Sequence, residues 1–457
     1  MNRREFLTAA AAAALPLRAR TTKPNILFIL ADDLGYGDLG CYGQKLVRTP
    51  NVDRLAEQGI RFTQVYCGST VCAPSRCALM TGFHMGHARI RGNARVDLQP
   101  EDVTVAEVLK GAGYKTALVG KWGLGTAGNS GAPNKQGFDE FYGFLDQKHA
   151  HTQYPTQIWE NDREIFLDGN FGPGRKDYVH DLFTERALKF IESEKDGPWF
   201  LYLAWTIPHA NNELNRQTGN GMEIPTDEPY SNQPWPQPDK NFAATVHRMD
   251  ADVGRLMKKL DELGIADDTV VFFASDNGPH REGGNNPELF DSNGPLRGIK
   301  RDLYDGGIRT PMIVRWNDSI RPAQVSDEIW SFWDFLPTAA ELAGVKPPSG
   351  VDGISVVPAL LGKPLPKREY LYWEFHEGGF SQAVRLGQWK GVRRRTRAAP
   401  IELYDITSDP GEAKDVAAAN PEVVRRVTEL FQSARTDNPT FPVREGGPPP
   451  AKVKRRP

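Results

Sequence analysis

Two pairs of oxygen-bearing residues each follow a short run that is apolar throughout. Asp32-Asp33 come after Asn25-Ile26-Leu27-Phe28-Ile29-Leu30, and Asp276-Asn277 come after Thr269-Val270-Val271-Phe272-Phe273-Ala274 and Ser275. Carboxylate and amide oxygens are hard donors, which suit Ca²⁺ or Mg²⁺ and not zinc. Either pair alone would read as a turn or a helix cap. The four cysteines, Cys41, Cys67, Cys72 and Cys77, lie close together near the start of the chain and lack the CxxC pairs of a metal-thiolate site. A chain of 457 residues does not need disulfides to hold its core, so this clustering asks for a chemical reason.

The elements that must position these residues follow from hydrophobic pattern. A continuous apolar run of strand formers reads as a strand buried on both faces, so the two acidic pairs sit at strand ends. In open α/β sheets ligands bind at the carboxyl ends of strands, where two pairs far apart in sequence can meet. From Val246, the residues Met249, Val253, Leu256, Leu260 and Leu263 mark one helical face, stopped by Gly264; this stripe is core. Val105, Val108 and Leu109, the Gly111–Tyr114 turn and Thr116–Gly120 read as helix, turn and strand, ending at Lys121. Residues 210–240 are rich in Asn, Pro and Gly, with Trp235 between two prolines, and read as a long surface loop.

The segment Cys72-Ala73-Pro74-Ser75-Arg76-Cys77-Ala78-Leu79-Met80-Thr81-Gly82 carries the decisive pattern. Its CxPSR core, with Leu79 and Thr81-Gly82 behind it, resembles the signature of type I sulfatases. In that family the cysteine is oxidised to formylglycine by a formylglycine-generating enzyme or an anaerobic maturase. The resemblance implies that one hydroxyl of the hydrated aldehyde attacks sulfur and the other later expels sulfate, an exit that a serine ester lacks. Alone, Cys72 would read as an inert buried thiol. Further landmarks of the same family run through the chain: Gly137–Gly143, Gly306–Pro311, Asp334–Thr338 and Glu402–Asp405.

The resemblance implies an α/β fold like that of alkaline phosphatase, a large mixed sheet between helices, with a smaller C-terminal α+β domain. Linker-like composition around Pro347–Gly350 and Lys363–Pro366 divides the chain into a catalytic domain over 22–365 and a small sheet domain over 366–445. The resemblance also implies that Asp32, Asp33, Asp276 and Asn277, with the modified Cys72, hold one Ca²⁺ or Mg²⁺. Arg76, Lys121, His209 and Lys300 align with positions that clamp the sulfate or stabilise the diol, with His209 and Lys300 facing the leaving oxygen. Taken singly, both lysines would read as surface charges. Gly123 stands where many sulfatases have a histidine that helps to remove the second diol proton. Gln147, His149 or His151 is the expected replacement, and His149 is counted among the catalytic candidates. Asp305 stands where Glu is common and keeps the charge.

The formal net charge of -2 and the even mixture of charges point away from nucleic acid and anionic membranes. Arg3-Arg4 with Phe6-Leu7, the apolar Ala9–Leu17 run and Ala19 read as a twin-arginine signal peptide over 1–19, which predicts a bacterial periplasmic or secreted protein with no membrane span. Residues 446–457, with three consecutive prolines and several basic residues, read as a disordered tail. The expected substrate is a sulfate ester on carbohydrate, with Trp159 and Trp235 as candidate sugar contacts. The rival readings are a phosphomonoesterase or phosphodiesterase of the same fold, and an inactive homologue that only binds glycans.

Overall fold

A computed structural model describes residues 23–443. The signal-peptide and tail readings therefore lie outside the described residues. The strand order in the main sheet is Gln324–Ser326, Ile60–Tyr66, Arg309–Arg315, Thr269–Ser275, Asn25–Ala31, Trp199–Ala204, Lys115–Lys121, Glu140–Phe144, Gln157–Glu160 and Arg163–Phe166, with Trp330–Ser331 also pairing on Ile60–Tyr66. The five strands from Thr269–Ser275 to Glu140–Phe144 run parallel, and antiparallel pairs flank them on both sides. Leu30 stands level with Ala274 on one neighbour and Ala204 on the other. That register delivers Asp32, Asp276 and the Trp205–His209 segment to one edge, and Lys121 ends the next strand over.

Both faces of these strands are covered, which accounts for their continuous apolarity. Phe28, Leu30, Phe272 and Ala274 pack into one core with Phe335 and Leu336, while Leu27, Ile29, Val271 and Phe273 pack into another with Val246, Met249 and Val253. The helix read from Val246 spans Gln237–Glu262, beginning earlier than its apolar stripe suggests. Proline costs nothing in a first helical turn, so Pro238 starts this helix and does not belong to a loop.

Residues 210–240 are likewise more ordered than a rim loop. Asn211 accepts a hydrogen bond from Leu214 N and caps a helix over Asn212–Thr218. Trp235 packs edge-on against Phe290 beside Tyr230, and Trp159 lies in a sheet strand against the core.

The C-terminal sheet is antiparallel, Leu371–Phe375, Ser381–Leu386, Trp389–Arg393 and Glu402–Asp405, with the Pro421–Ser433 helix packed on it. Trp373 Nε1 donates to Cys67 O (3.0 Å) and Arg385 to Tyr66 Oη (2.7 Å), immediately before the Cys72 helix. Asp305 is the other tie: its carboxylate receives Lys390 Nζ at 2.6 Å and its backbone N donates to Glu412 at 2.6 Å. The charge at this position thus joins the small domain to the catalytic body.

Candidate active site

Cys72 opens a fully buried helix, Cys72–Thr81, that Gly82 terminates in the left-handed conformation. Pro74 sits in the first turn, where no backbone donor is lost. Ser75 and Arg76 then grip one residue from the far strand: Ser75 Oγ donates to Asp276 O (2.5 Å), and Arg76 Nε and Nη2 donate to Asp276 Oδ2 (3.0 and 2.8 Å). The Pro-Ser-Arg spacing therefore fixes the helix start against the Asp276 strand end. Gly278 must be glycine here, since a Cβ would lie 1.9 Å from Gly306 O.

Around this anchor the residues converge. Cys72 Sγ lies 3.3 Å from Asp32 Oδ1, while Lys121 Nζ donates to Asp32 Oδ2 at 2.6 Å. Arg76 Nη1 donates to Lys121 O (2.9 Å), tying the two cations together. On the other side Lys300 Nζ donates to Asp33 Oδ2 (2.7 Å) and lies 3.1 Å from His209 Nε2. Asp33 takes a left-handed φ of 66°, which turns its backbone N onto Asp276 Oδ1 at 3.1 Å. A non-glycine residue is seldom held there unless its surroundings enforce it, and such strain gathers at functional sites.

Electrostatics follow from burying so many charges. Burial would raise Asp32, but Lys121, His209 and Arg76 outweigh it and hold the carboxyl well below its usual range. Burial and the neighbouring Asp32 instead push Asp276 up to about 7. Burial and Asp32 also push the Cys72 thiol well above its ordinary range, against Lys121. A protonated thiol is a poor nucleophile, so the unmodified side chain is badly placed for thiolate chemistry. Burial and Lys300 push His209 down to about 3, leaving a neutral ring that donates from Nδ1 to Ala210 O (2.7 Å) and presents its Nε2 lone pair to Lys300.

Atoms of Asp32, Asp33, Cys72 and His209 lie within 4.8 Å of one another. Asn277 Nδ2 donates to Asp33 Oδ1 (2.7 Å), and its Oδ1 is buried without a partner among the described residues. Three carboxylates and an orphaned amide oxygen form a hard donor set that fits a divalent cation of the Ca²⁺ or Mg²⁺ type.

The corner near Gly123 is filled by other residues. Gly123 has φ 77°, and a Cβ there would lie 1.9 Å from Gln147 Nε2, itself buried without a partner among the described residues. His151 stacks on His209 with centroids 4.7 Å apart, and its Nδ1 faces Glu213 Oε2 at 3.2 Å. His149 does not join this group; its ring packs edge-on against Phe144 at 4.9 Å. Two acids escaped sequence reading. Glu282 receives Lys300 at 3.2 Å and pairs with Arg301, and Glu213 orients His151. Neither belongs to a motif; only the Asn211 cap signal could have placed Glu213 on a helix.

A family model described as "Sulfatase" matches residues 24–345, and one described as "N-sulphoglucosamine sulphohydrolase, C-terminal" matches 299–436. The chain is 30% identical to an N-acetylgalactosamine-6-O-sulfatase of Bacteroides thetaiotaomicron, over 91% of this chain and 93% of that one. It is 33% identical to human arylsulfatase A, over 89% and 87%. Among solved structures, Ps i-CgsB in complex with k-i-k-neocarrahexaose superposes with TM-score 0.79 and 28% identity, covering 92% of this chain and 95% of that one. The fold is shared with a phosphonate monoester hydrolase of Agrobacterium radiobacter at TM-score 0.63 and 21% identity, covering 90% and 95%. With a family match across most of its length and a site built at the carboxyl edge of its sheet, the chain belongs to the sulfatase family of sulfuric ester hydrolases.

Proposed function

We propose that this protein is an exported glycan sulfatase that cleaves sulfate monoesters of galactose-configured sugars, with Cys72 converted to formylglycine as its nucleophile. The observation that carries the reading is the position of Cys72 at a buried helix start, 3.3 Å from Asp32, inside the ring formed by Arg76, Lys121, His209 and Lys300. The sugar is suggested by relatives named for N-acetylgalactosamine 6-sulfate. Conversion requires a formylglycine-generating enzyme or an anaerobic maturase as partner, and export places the enzyme in the periplasm or outside the cell.

Cys72 Sγ stands in for the attacking hydroxyl oxygen of the hydrated aldehyde, so Asp32 Oδ1 is placed to receive that hydroxyl's proton. Lys121, on the other oxygen of Asp32, keeps this carboxylate ionised and adds positive charge where the sulfate oxygens must sit. Arg76, which cannot lose its proton, adds a fixed charge behind both. One Ca²⁺ or Mg²⁺ held by Asp32, Asp33, Asp276 and Asn277, with modified Cys72, would polarise the ester and favour deprotonation of the diol. Lys300 is the proton donor to the leaving oxygen, and neutral His209 orients it. Gln147 fills the space beside Gly123 but offers no basic nitrogen, so the proton acceptor for sulfate release is assigned to His151, not His149. Glu213 accepts a hydrogen bond from His151 Nδ1–H, which leaves Nε2 unprotonated as the acceptor.

The test is sulfate release from a panel of position-defined sulfated monosaccharides, with Cys72→Ala as the blank. Hydrolysis of a galactose-type ester by the parent and none by Cys72→Ala is expected. Turnover of phosphate esters alone would overturn the reading.

A further inference from the structure

Away from the Cys72 site, the small domain holds a 410 Å³ cavity lined by Arg393, Arg397 and Arg435, with Phe380, Phe431 and Gln382 and, among the described residues, no acidic side chain. Arg397 is exposed, whereas Arg393 and Arg435 are half-buried and anchored, unlike a solvated charge run. The Arg393 guanidinium lies 4.8 Å over the Phe431 ring and that of Arg435 lies 5.5 Å over Phe380, so both planes are held by aromatic faces. Arg435 Nε is fixed by Glu374 (2.8 Å) and Arg393 Nη2 by Gln382.

Each guanidinium nevertheless keeps one buried donor without a partner among the described residues, Arg393 Nε and Arg435 Nη2. A buried N–H that has given up water for nothing is costly, and natural structures contain few. Here two such donors line one cavity of a single charge sign. Planar guanidinium donors match the oxygens of sulfate or carboxylate better than a lysine does.

The cavity also connects to the catalytic edge. Phe380 N donates to Arg395 O at 2.9 Å, joining the 376–380 turn to the basic loop over 393–397. Glu377 in that turn accepts from Asn93 N at 3.4 Å, and Asn93 Oδ1 accepts from Ala73 N at 3.0 Å, next to Cys72. Arg301, beside Lys300, faces Glu377 at 3.7 Å and shares a second cavity of 310 Å³ with Arg394 and Arg395. A row of arginines, interrupted by Asp302 and Glu377, thus links the Lys300 side of the active site to the loop that carries Arg393.

We infer that the Arg393–Arg435 cavity is a second anion subsite, which takes a sulfate or uronate carboxylate of a glycan chain some residues away from the ester being cut. The ligand is therefore a polyanionic oligosaccharide, a substrate class that rests on the glycan-sulfatase reading; the anion site itself does not. Arg393→Gln removes the guanidinium while keeping length, and the thermal midpoint checks folding. Binding of a chondroitin sulfate hexasaccharide to the full-length Cys72→Ala protein is measured by calorimetry, with and without Arg393→Gln and with the chemically desulfated hexasaccharide as control. Loss of about tenfold in affinity for the sulfated chain is expected, with an equal loss for the desulfated chain if the anion held is the uronate carboxylate and no comparable loss if it is sulfate. In the active enzyme, the KM for the hexasaccharide should rise about tenfold relative to the KM for a monosulfated monosaccharide, with kcat held. Unchanged hexasaccharide affinity, or an equal rise in both KM values, overturns the subsite. Arg393-dependent binding by a protein that hydrolyses no sulfate ester would instead retain the subsite and defeat the catalytic reading.

Discussion

Lys300 Nζ donates to His209 Nε2 across 3.1 Å, while His209 Nδ1 donates to Ala210 O at 2.7 Å. The ring is neutral and has no spare proton on the side that faces the site, so the proposed mechanism gives the acid role to the ammonium of Lys300. Removing either residue should lower kcat on sugar sulfates by about 10²–10⁴, the usual worth of general-acid catalysis. The loss should be much smaller on 4-nitrophenyl sulfate, whose leaving oxygen needs no proton. Equal losses on the two esters would assign the pair to sulfate binding.

If the hard oxygen set holds the proposed divalent cation, activity depends on that ion. Chelation should abolish turnover, and Ca²⁺ or Mg²⁺ should restore it. Asp276→Asn removes a negative charge from the donor set and also unpairs Arg76, so it should weaken cation affinity measured by calorimetry as well as lowering kcat. Full activity in exhaustively stripped enzyme would refute the ligand assignment.

His151 and His149 are two residues apart, yet only His151 reaches the site. If His151 takes the second diol proton, His151→Ala should slow sulfate release more than ester cleavage. Rapid mixing would then show a burst of desulfated alcohol and a slow phase. His149→Ala, which removes only a ring against Phe144, should show no burst. A burst-free His151→Ala enzyme with parental kcat would return the role to Gln147, a ligand carboxylate or water.

Burial would raise Glu374, but His376, Arg91 and Arg435 outweigh it and hold the carboxyl at about 2. A folded-state value below the unfolded one contributes stability at neutral pH that disappears as pH falls from about 4.5 through about 2. Glu374→Gln should therefore be less stable at pH 7, on the order of 2–3 kcal/mol. The gap in urea midpoints from the parent should close towards pH 2. A gap that does not change with pH would mean that the loss is packing.

The strands that carry Asp32 and Asp276 were legible because strands buried on both faces have nowhere to put a polar side chain. The CxPSR segment was legible through its resemblance to the sulfatase signature, and the structure shows why Ser and Arg stand side by side in it, since both bond Asp276. What stayed hidden depends on tertiary contact alone. The left-handed turn at Asp33 is enforced by Asp276 from another strand, and nothing in the local sequence demands it. Glu213 and Glu282 meet their partners only when loops fold back, and the choice between His149 and His151 turns on the path of a short 3-10 turn. The early start of the Gln237–Glu262 helix was masked by flanking prolines, whose usual sign is a break.

The central claim is that Cys72 works as formylglycine and not as a thiol. Mass spectrometry of the peptide containing Cys72, from enzyme whose specific activity has been measured, tests it directly. The account predicts a peptide lighter than the cysteine form, reactive towards hydrazides, in a fraction that rises in proportion to specific activity across preparations. Fully active enzyme in which Cys72 remains an unmodified thiol would contradict it.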